Sequence, residues 1–385
     1  MTARADWSAL VDERCRRIED EGRWRRPRPF AARGPQGQLD GVGAVVSFAS
    51  NDYLGLSAHP AVAAGARAAL ERWGTGSGAS RLVTGSRPLH HRLETELADW
   101  KGCERAVCFP TGFAANLGVL TTFGELAATI CSDELNHASI IDGARLARAE
   151  VAVYRHGDVD DLDRLLGEAA GPALVVSDLV FSMDGDVAPV KELAACCRRH
   201  GAMLVLDEAH AVLGPDPGAD LDGLCALRVG TLSKALGSLG GFVAGPARFV
   251  ELLENRARSY IFTTAASPAD AGAALAAVTL VRSAEGAALV RRLGQLVETV
   301  APGHPSPIVP VVLGDERRAL EASEALLRRG LWVPAIRPPT VAPGTARLRI
   351  TLSAAHRDED VAALVEALGD LGVAMSRAAL AASER

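Results

Sequence analysis

Between residues 106 and 206 the chain repeats one unit, a short apolar run followed by a stretch of helical periodicity. AVCF at 106–109, ATICS at 128–132, VAVY at 151–154, ALVVS at 173–177 and AMLVL at 202–206 each lead into such a stretch. Continuous apolar runs of this length suit strands buried on both faces, and strands that alternate with helices predict a mainly parallel sheet covered by helices. The expected fold class is α/β. In such sheets ligands bind beyond the carboxyl ends of the strands. Thr111, His137, Ser182, Asp207, His210 and Lys234 all fall there.

Lys234 stands out in composition as well as position. The chain has three lysines among 41 basic residues. Lys101, beside Gly102, and Lys191, on the polar face of a predicted helix, read as solvated. Lys234 lies in TLSKALGSLGG at 231–241, among small residues directly after an apolar run. A primary amine with so little bulk around it is a candidate to hold a flat ligand as an imine. Gly112 and Phe113, in PTGFAAN, open a helix after a strand, where free N–H groups and the helix dipole favour a phosphate. Asp207, at the end of its strand, is placed to pair with a ring cation. DEAH at 207–210 has a helicase motif's spelling, but the chain has no phosphate-binding G-x-x-x-x-G-K-[ST] loop. His137 and His210 have no cysteine or carboxylate at metal-ligand spacing, so no metal is expected.

At 385 residues the chain is long enough for a large domain with a smaller companion. The expected division is an N-terminal helix and arm at 1–45, a large domain at 46–282, and a small α+β domain at 283–385. The first part reads as an amphipathic helix over 6–24, stopped by Pro27 and Pro29. GTGSGASRLVTGS at 74–86 has too many glycines for a regular element. Its Gly-rich part, Gly74 to Ser80, has too little apolar content to be held by its own core and is expected to reach a partner's active site in a homodimer. Pro338 and Pro339 are expected to hold the backbone extended before Thr340.

A net charge of -6 argues against a nucleic-acid surface. The chain has no apolar run of membrane-spanning length and its first residues lack a signal-peptide core, so a cytoplasmic protein without membrane contact is expected. The seven cysteines include no C-x-x-C pair and suggest buried thiols, not a disulfide framework.

SNDYLGL at 50–56, TGFAAN at 111–116, NHAS at 136–139, FSMDGD at 181–186, DEAH and TLSKALG at 231–237 together resemble the α-oxoamine synthase family of fold type I pyridoxal 5'-phosphate (PLP) enzymes. The likeness extends to ARLRITLSAAH at 346–356. It implies a PLP-dependent acyltransferase in which Lys234 forms the imine, Asp207 pairs with the pyridine nitrogen and His137 stacks on the ring. Ser182 and His210 would bond near the phenolic oxygen, while Gly112, Phe113 and Thr231 would hold the phosphate. Asn51 and Arg349 would take the amino-acid carboxylate. Arg23 and Thr340 would lie along the acyl substrate, and Arg337 matches the motif without an assigned role. The substrates implied are L-alanine and a pimeloyl thioester on acyl carrier protein or coenzyme A. Glycine-using relatives and a catalytically silent partner subunit are the alternatives. The turn after DEAH, HAVLGPDPG at 210–218, is shorter than the family's and has Ala211 in place of glycine.

Overall fold

The structure, a computed structural model, describes residues 6–214 and 216–372. Its centre is a seven-stranded sheet. In spatial order the strands are Arg105–Phe109, Gly241–Gly245, Ala226–Thr231, Met203–Asp207, Ala173–Asp178, Thr129–Asp133 and Glu150–Tyr154. The last five pair in parallel; four of them are strands of the sequence repeat, whereas the repeat's first strand, Arg105–Phe109, pairs antiparallel at the sheet's edge. Gly241–Gly245, which that repeat does not reveal, runs antiparallel to both neighbours. Residues 232–240 are too few for a parallel crossover, which needs about a dozen. The chain therefore turns straight back, and Lys234 lies in that turn.

Helices cover the sheet and fix its edge. Pro60–Trp73 packs on Pro268–Val281 where Gly65 meets Gly272, and a Cβ at Gly65 would come 2.6 Å from the Gly272 carbonyl oxygen. Beyond Ser283 a long helix, Ala284–Val300, leads to an antiparallel sheet of Ile308–Gly314, Ala346–Thr351 and Ala335–Ile336. Its central strand carries Arg349 opposite Pro310. Near the amino end, Phe30–Ala32, Gln36–Leu39 and Gly43–Ser47 form a sheet that Leu331–Trp332 joins in parallel, so residues 30–47 are tied to the carboxyl-terminal part of the chain.

Four local expectations need correction. The first helix is Trp7–Asp20; it ends through Gly22 in the left-handed region, before either proline, and it buries no residue. Within 74–86, Arg81–Gly85 forms a single π turn. The loop 74–80 is tied to its own domain by polar contacts, Ser77 Oγ donating to the Ala266 carbonyl at 2.6 Å and the Ala79 carbonyl accepting from Ala265 N–H at 3.0 Å, and directly after it Arg81 is buried and grips Glu94 with two bonds of 2.7 and 2.9 Å. Lys101 is buried, with Nζ 2.6 Å from Glu208. Glu208 follows Asp207 into the interior, and a carboxylate there requires cations; Arg228 joins Lys101 on it and also grips Asp216 at 2.7 and 2.9 Å. That grip anchors the shortened turn after DEAH. Finally, Arg337 to Thr340 is a tight turn with a cis Pro338–Pro339 bond, closed by Thr340 N–H donating to the Arg337 carbonyl at 3.0 Å.

Candidate active site

Thr111 caps the helix Gly112–Phe123, its hydroxyl accepting from Ala114 N–H at 3.0 Å. The N–H groups of Gly112 and Phe113 have no partner among the described residues, as the first turn of a helix leaves its donors free. Gly241 passes so close that a Cβ there would meet the Thr111 carbonyl oxygen at 2.5 Å. The Thr231 hydroxyl, 2.7 Å from Ser233 Oγ, stands beside Gly112. Two hydroxyls and two free N–H groups thus converge at the positive end of a helix, which is an anion cradle.

Asp207 ends its strand with 5% of its surface exposed. Its Oδ2 accepts from Asn116 Nδ2 at 2.6 Å and its Oδ1 from Ala209 N–H at 2.9 Å. Among the described residues no cation forms an ion pair with it. Asp178 lies beside it in register, and burial together with the charge of Asp207 pushes the Asp178 carboxyl well above its usual range. Two carboxylates buried side by side disfavour each other's charge, and it is Asp178 that is driven toward its protonated form. His137 N–H donates to Asp178 at 2.9 Å, which fixes the ring's starting point. The ring's Nδ1 accepts from Ser139 N–H at 3.2 Å, so the neutral ring carries its proton on Nε2. Burial, outweighing the attraction of Asp207, lowers the His137 pKa and keeps it neutral.

A chain of hydrogen bonds runs from Lys234 to Arg349. Lys234 Nζ is 2.9 Å from His210 Nε2, His210 Nδ1 is 2.5 Å from the Tyr53 hydroxyl, and that hydroxyl is 3.2 Å from Asn51 Oδ1. Asn51 Oδ1 also accepts from Arg349 at 3.2 Å. Since Asn51 Oδ1 can only accept, Tyr53 donates to it, His210 donates through Nδ1 to Tyr53, and His210 Nε2 accepts from Lys234. Burial, followed by the charges of Lys234 and Arg349, depresses the His210 pKa well below its usual value and keeps the ring neutral in this role. Burial also lowers the Lys234 pKa, though Asp207 and Asp178 resist.

Arg349 donates to the Ser182 carbonyl at 2.6 Å and to Thr351 Oγ1 at 2.8 Å. Ser182 thus enters the site through its backbone. Arg23, Arg337 and Thr340 gather elsewhere: Arg23 pairs with Glu21 at 3.2 Å, Arg337 reaches the carbonyl of the adjacent Gly22, and Thr340 is exposed. None of the three shares a hydrogen bond or ion pair with the Lys234 chain. Tyr53, Asn116, Ser139 and Asp178 were not singled out from the sequence. Tyr53, Asn116 and Ser139 lie inside the quoted motifs, and that position was the available signal.

These residues fit PLP. The cradle suits its phosphate, the buried Asp207 lacks the cation that a protonated ring nitrogen would supply, and the half-buried Lys234 amine has no carboxylate partner among the described residues.

The family model for aminotransferase class I and II matches residues 44–368. The 8-amino-7-oxononanoate synthase of Anaeromyxobacter dehalogenans is 49% identical over 90% of this chain and 92% of its own. That of Burkholderia mallei is 47% identical, covering 94% and 95%. Among solved structures, a serine palmitoyltransferase from S. paucimobilis with bound PLP and myriocin superposes with a TM-score of 0.87 at 31% identity, covering 95% and 98%. An 8-amino-7-oxononanoate synthase from Francisella tularensis gives 0.70 at 26%, covering 85% and 97%.

Proposed function

The chain belongs to the aminotransferase class I and II family and, within it, to the 8-amino-7-oxononanoate synthases, and on that premise we propose that it joins L-alanine to a pimeloyl thioester carried on acyl carrier protein or coenzyme A. It is a PLP-dependent acyltransferase of biotin biosynthesis. The products of the proposed reaction are 8-amino-7-oxononanoate, carbon dioxide and the free carrier thiol. Identity of 47–49% over nine-tenths or more of the chain with the Anaeromyxobacter and Burkholderia synthases supports alanine as the amino acid; the solved structures do not separate the two classes, since the serine palmitoyltransferases match at 29–32% and the Francisella synthase at 26%.

The observation that carries the reading is Arg349. Among the described residues four arginines are buried, and three of them, Arg81, Arg228 and Arg347, are paired with carboxylates. Arg349 has only neutral partners among the described residues, and burial lowers its pKa. A desolvated guanidinium without a counter-charge is strongly disfavoured unless a ligand supplies one. An α-carboxylate does so, and its binding at Arg349 brings the amino acid within reach of the chain ending at Lys234.

Bound PLP supplies an electron-accepting ring for chemistry at the amino acid's Cα. Asp207 would pair with the ring nitrogen, and burial together with the charge of Asp207 drives its neighbour Asp178 toward the protonated form. Lys234 Nζ takes the proton from Cα. Its lowered pKa increases the neutral fraction at a given pH, so turnover falls as pH drops through the lysine's own pKa. His210, neutral and fixed by Tyr53, orients that amine. Arg349 and Asn51 keep the carboxylate in place until the new ketone makes its loss as carbon dioxide easy. Arg23 and Thr340 are assigned to the acyl substrate and Arg337 to the turn between them.

Comparing kcat/KM for alanine, glycine and serine with pimeloyl, succinyl, acetyl and palmitoyl thioesters tests the proposal. Alanine with a pimeloyl thioester should lead, and alanine should exceed glycine by about 10-fold or more, the scale set by one methyl group. Faster turnover of glycine with acetyl-CoA would overturn the assignment.

The assembly proposed is a homodimer. Leu82 and Val83, next to the loop bonded to Ala265 and Ala266, and Phe262, shortly before those two alanines in the chain, are large apolar side chains left exposed. An active monomer in sedimentation and assay at matched concentration would refute the dimer. No single helix among the described residues is long and apolar enough to cross a membrane.

A further inference from the structure

Two turns at the sheet's carboxyl edge hold opposite sides of the site. One follows Thr129–Asp133 and carries His137. The other follows Ala173–Asp178 and carries Ser182, whose carbonyl binds Arg349. They are joined through a residue from a third segment, His156, which follows Glu150–Tyr154. Its Nδ1 lies 3.0 Å from Asp133 Oδ1 and its Nε2 2.7 Å from Asp186 Oδ2.

Each carboxylate organises its own turn. Asp133 is buried and accepts from Leu135 N–H and Gly157 N–H, both at 2.9 Å, which sets the course of the backbone toward His137. The Asp186 carbonyl accepts from Phe181 N–H at 3.0 Å and closes the turn around Ser182. In the same turn Asp184 pairs with Arg347, two residues from Arg349 on one strand. The His156 ring also packs edge-on against Phe181 with centroids 4.3 Å apart. The remaining oxygen of Asp186 is buried with no partner among the described residues, where His156 supplies this carboxylate's one hydrogen bond.

We propose that His156 is a positioning residue for the reaction: bridging Asp133 and Asp186, it sets the spacing between the turn of His137, which stacks on the cofactor, and the turn that orients Arg349 for the amino-acid carboxylate. A ring with a carboxylate at each nitrogen bonds both only as the cation, with a proton on Nδ1 and on Nε2. Burial opposes that charge, but the bonds and charges of Asp133 and Asp186 outweigh it and push the His156 pKa up to about 10. Without the cation the two carboxylates face each other across an empty gap, and like charges there drive the turns apart.

The inference rests on the reading of Arg349 as the carboxylate anchor. It is tested on the PLP-loaded enzyme with His156→Ala and His156→Gln. The dissociation constant of L-alanine is read by spectral titration, together with the visible circular dichroism of the cofactor, the thioester KM and the melting temperature. Alanine binding should weaken by about 10-fold or more in His156→Ala, with an altered dichroic band and a thioester KM within about twofold of the parent. Adding Asp186→Asn to His156→Gln removes one of the opposed charges and should recover most of the lost alanine affinity. Unchanged alanine affinity in both single variants overturns the proposal. So does an equal loss for both substrates that follows the melting temperature and is not rescued, which marks a merely structural tie. A wild-type enzyme that binds no alanine refutes the substrate assignment instead, and the same titration with the amino acid it does bind then tests the bridge.

Discussion

Replacing Lys234 by Ala is expected to remove the visible absorbance of the imine proposed between its amine and PLP and to lower kcat/KM by about 10⁴-fold or more, the upper range for a positioned proton-transfer group that would also be the covalent anchor. The fold should survive the change. Lys234 is half-buried in the turn between two antiparallel strands and pairs with no carboxylate among the described residues; its bond is to the neutral His210. Truncation therefore leaves no uncompensated charge inside, only a histidine nitrogen without its donor, at a cost of roughly 1–3 kcal/mol. The Gly237 corner that shapes the turn is untouched; there a Cβ would come 2.3 Å from Ser57 N, so the backbone depends on glycine and not on the lysine. Absorbance, steady-state rates and a melting curve of the same preparation check this, and an unchanged spectrum would remove Lys234 from its role.

Asp207→Asn is the second large effect, expected to lower kcat by about 10²–10³-fold, the scale for deleting one preorganised electrostatic partner. Asparagine keeps the shape and can still accept from Ala209 N–H. It removes the negative charge that holds a ring nitrogen protonated, and it also sets an amide group against Asn116 Nδ2, which now donates to Asp207 at 2.6 Å. Asp178 remains beside it and does not substitute, because burial alone already favours its protonated form. The loss should appear in kcat more than in cofactor affinity, which the cradle at Gly112 and Phe113 maintains. A kcat within 10-fold of the parent would contradict the pairing of Asp207 with the ring.

The parallel core was legible because strands buried on both faces leave continuous apolar runs, and the order of strand and helix does the rest. Gly241–Gly245 was not, since GFVAG between glycines reads as a loop until the short connection from Thr231 forces it back beside its neighbour. Lys101 was misread because local context, a glycine and a tryptophan, cannot show that Glu208, far along the chain, is buried against it. Tyr53 meets His210 across a similar separation, so the hydrogen-bond chain to Lys234 emerges only from the fold. The proline pair was read from the restricted φ of each residue, which does not determine whether the peptide bond between them turns the chain. Lys234, Asp207, His137, His210, Asn51 and Arg349 were each named from motifs, and the structure draws them together at one sheet edge. For Arg349 the decisive feature, a buried guanidinium with no carboxylate, has no counterpart in the sequence.

The most direct test follows the carbon atoms of alanine. Purified enzyme loaded with PLP is given a pimeloyl thioester and alanine labelled with ¹³C either in the carboxyl group or in the methyl group, and the products are weighed by mass spectrometry. Decarboxylative condensation predicts that the methyl label is retained in an aminoketone with the mass of 8-amino-7-oxononanoate and that the carboxyl label leaves as carbon dioxide. A carbon-carbon bonded product that keeps the carboxyl label, or no such product with alanine while another amino acid is consumed, would contradict it.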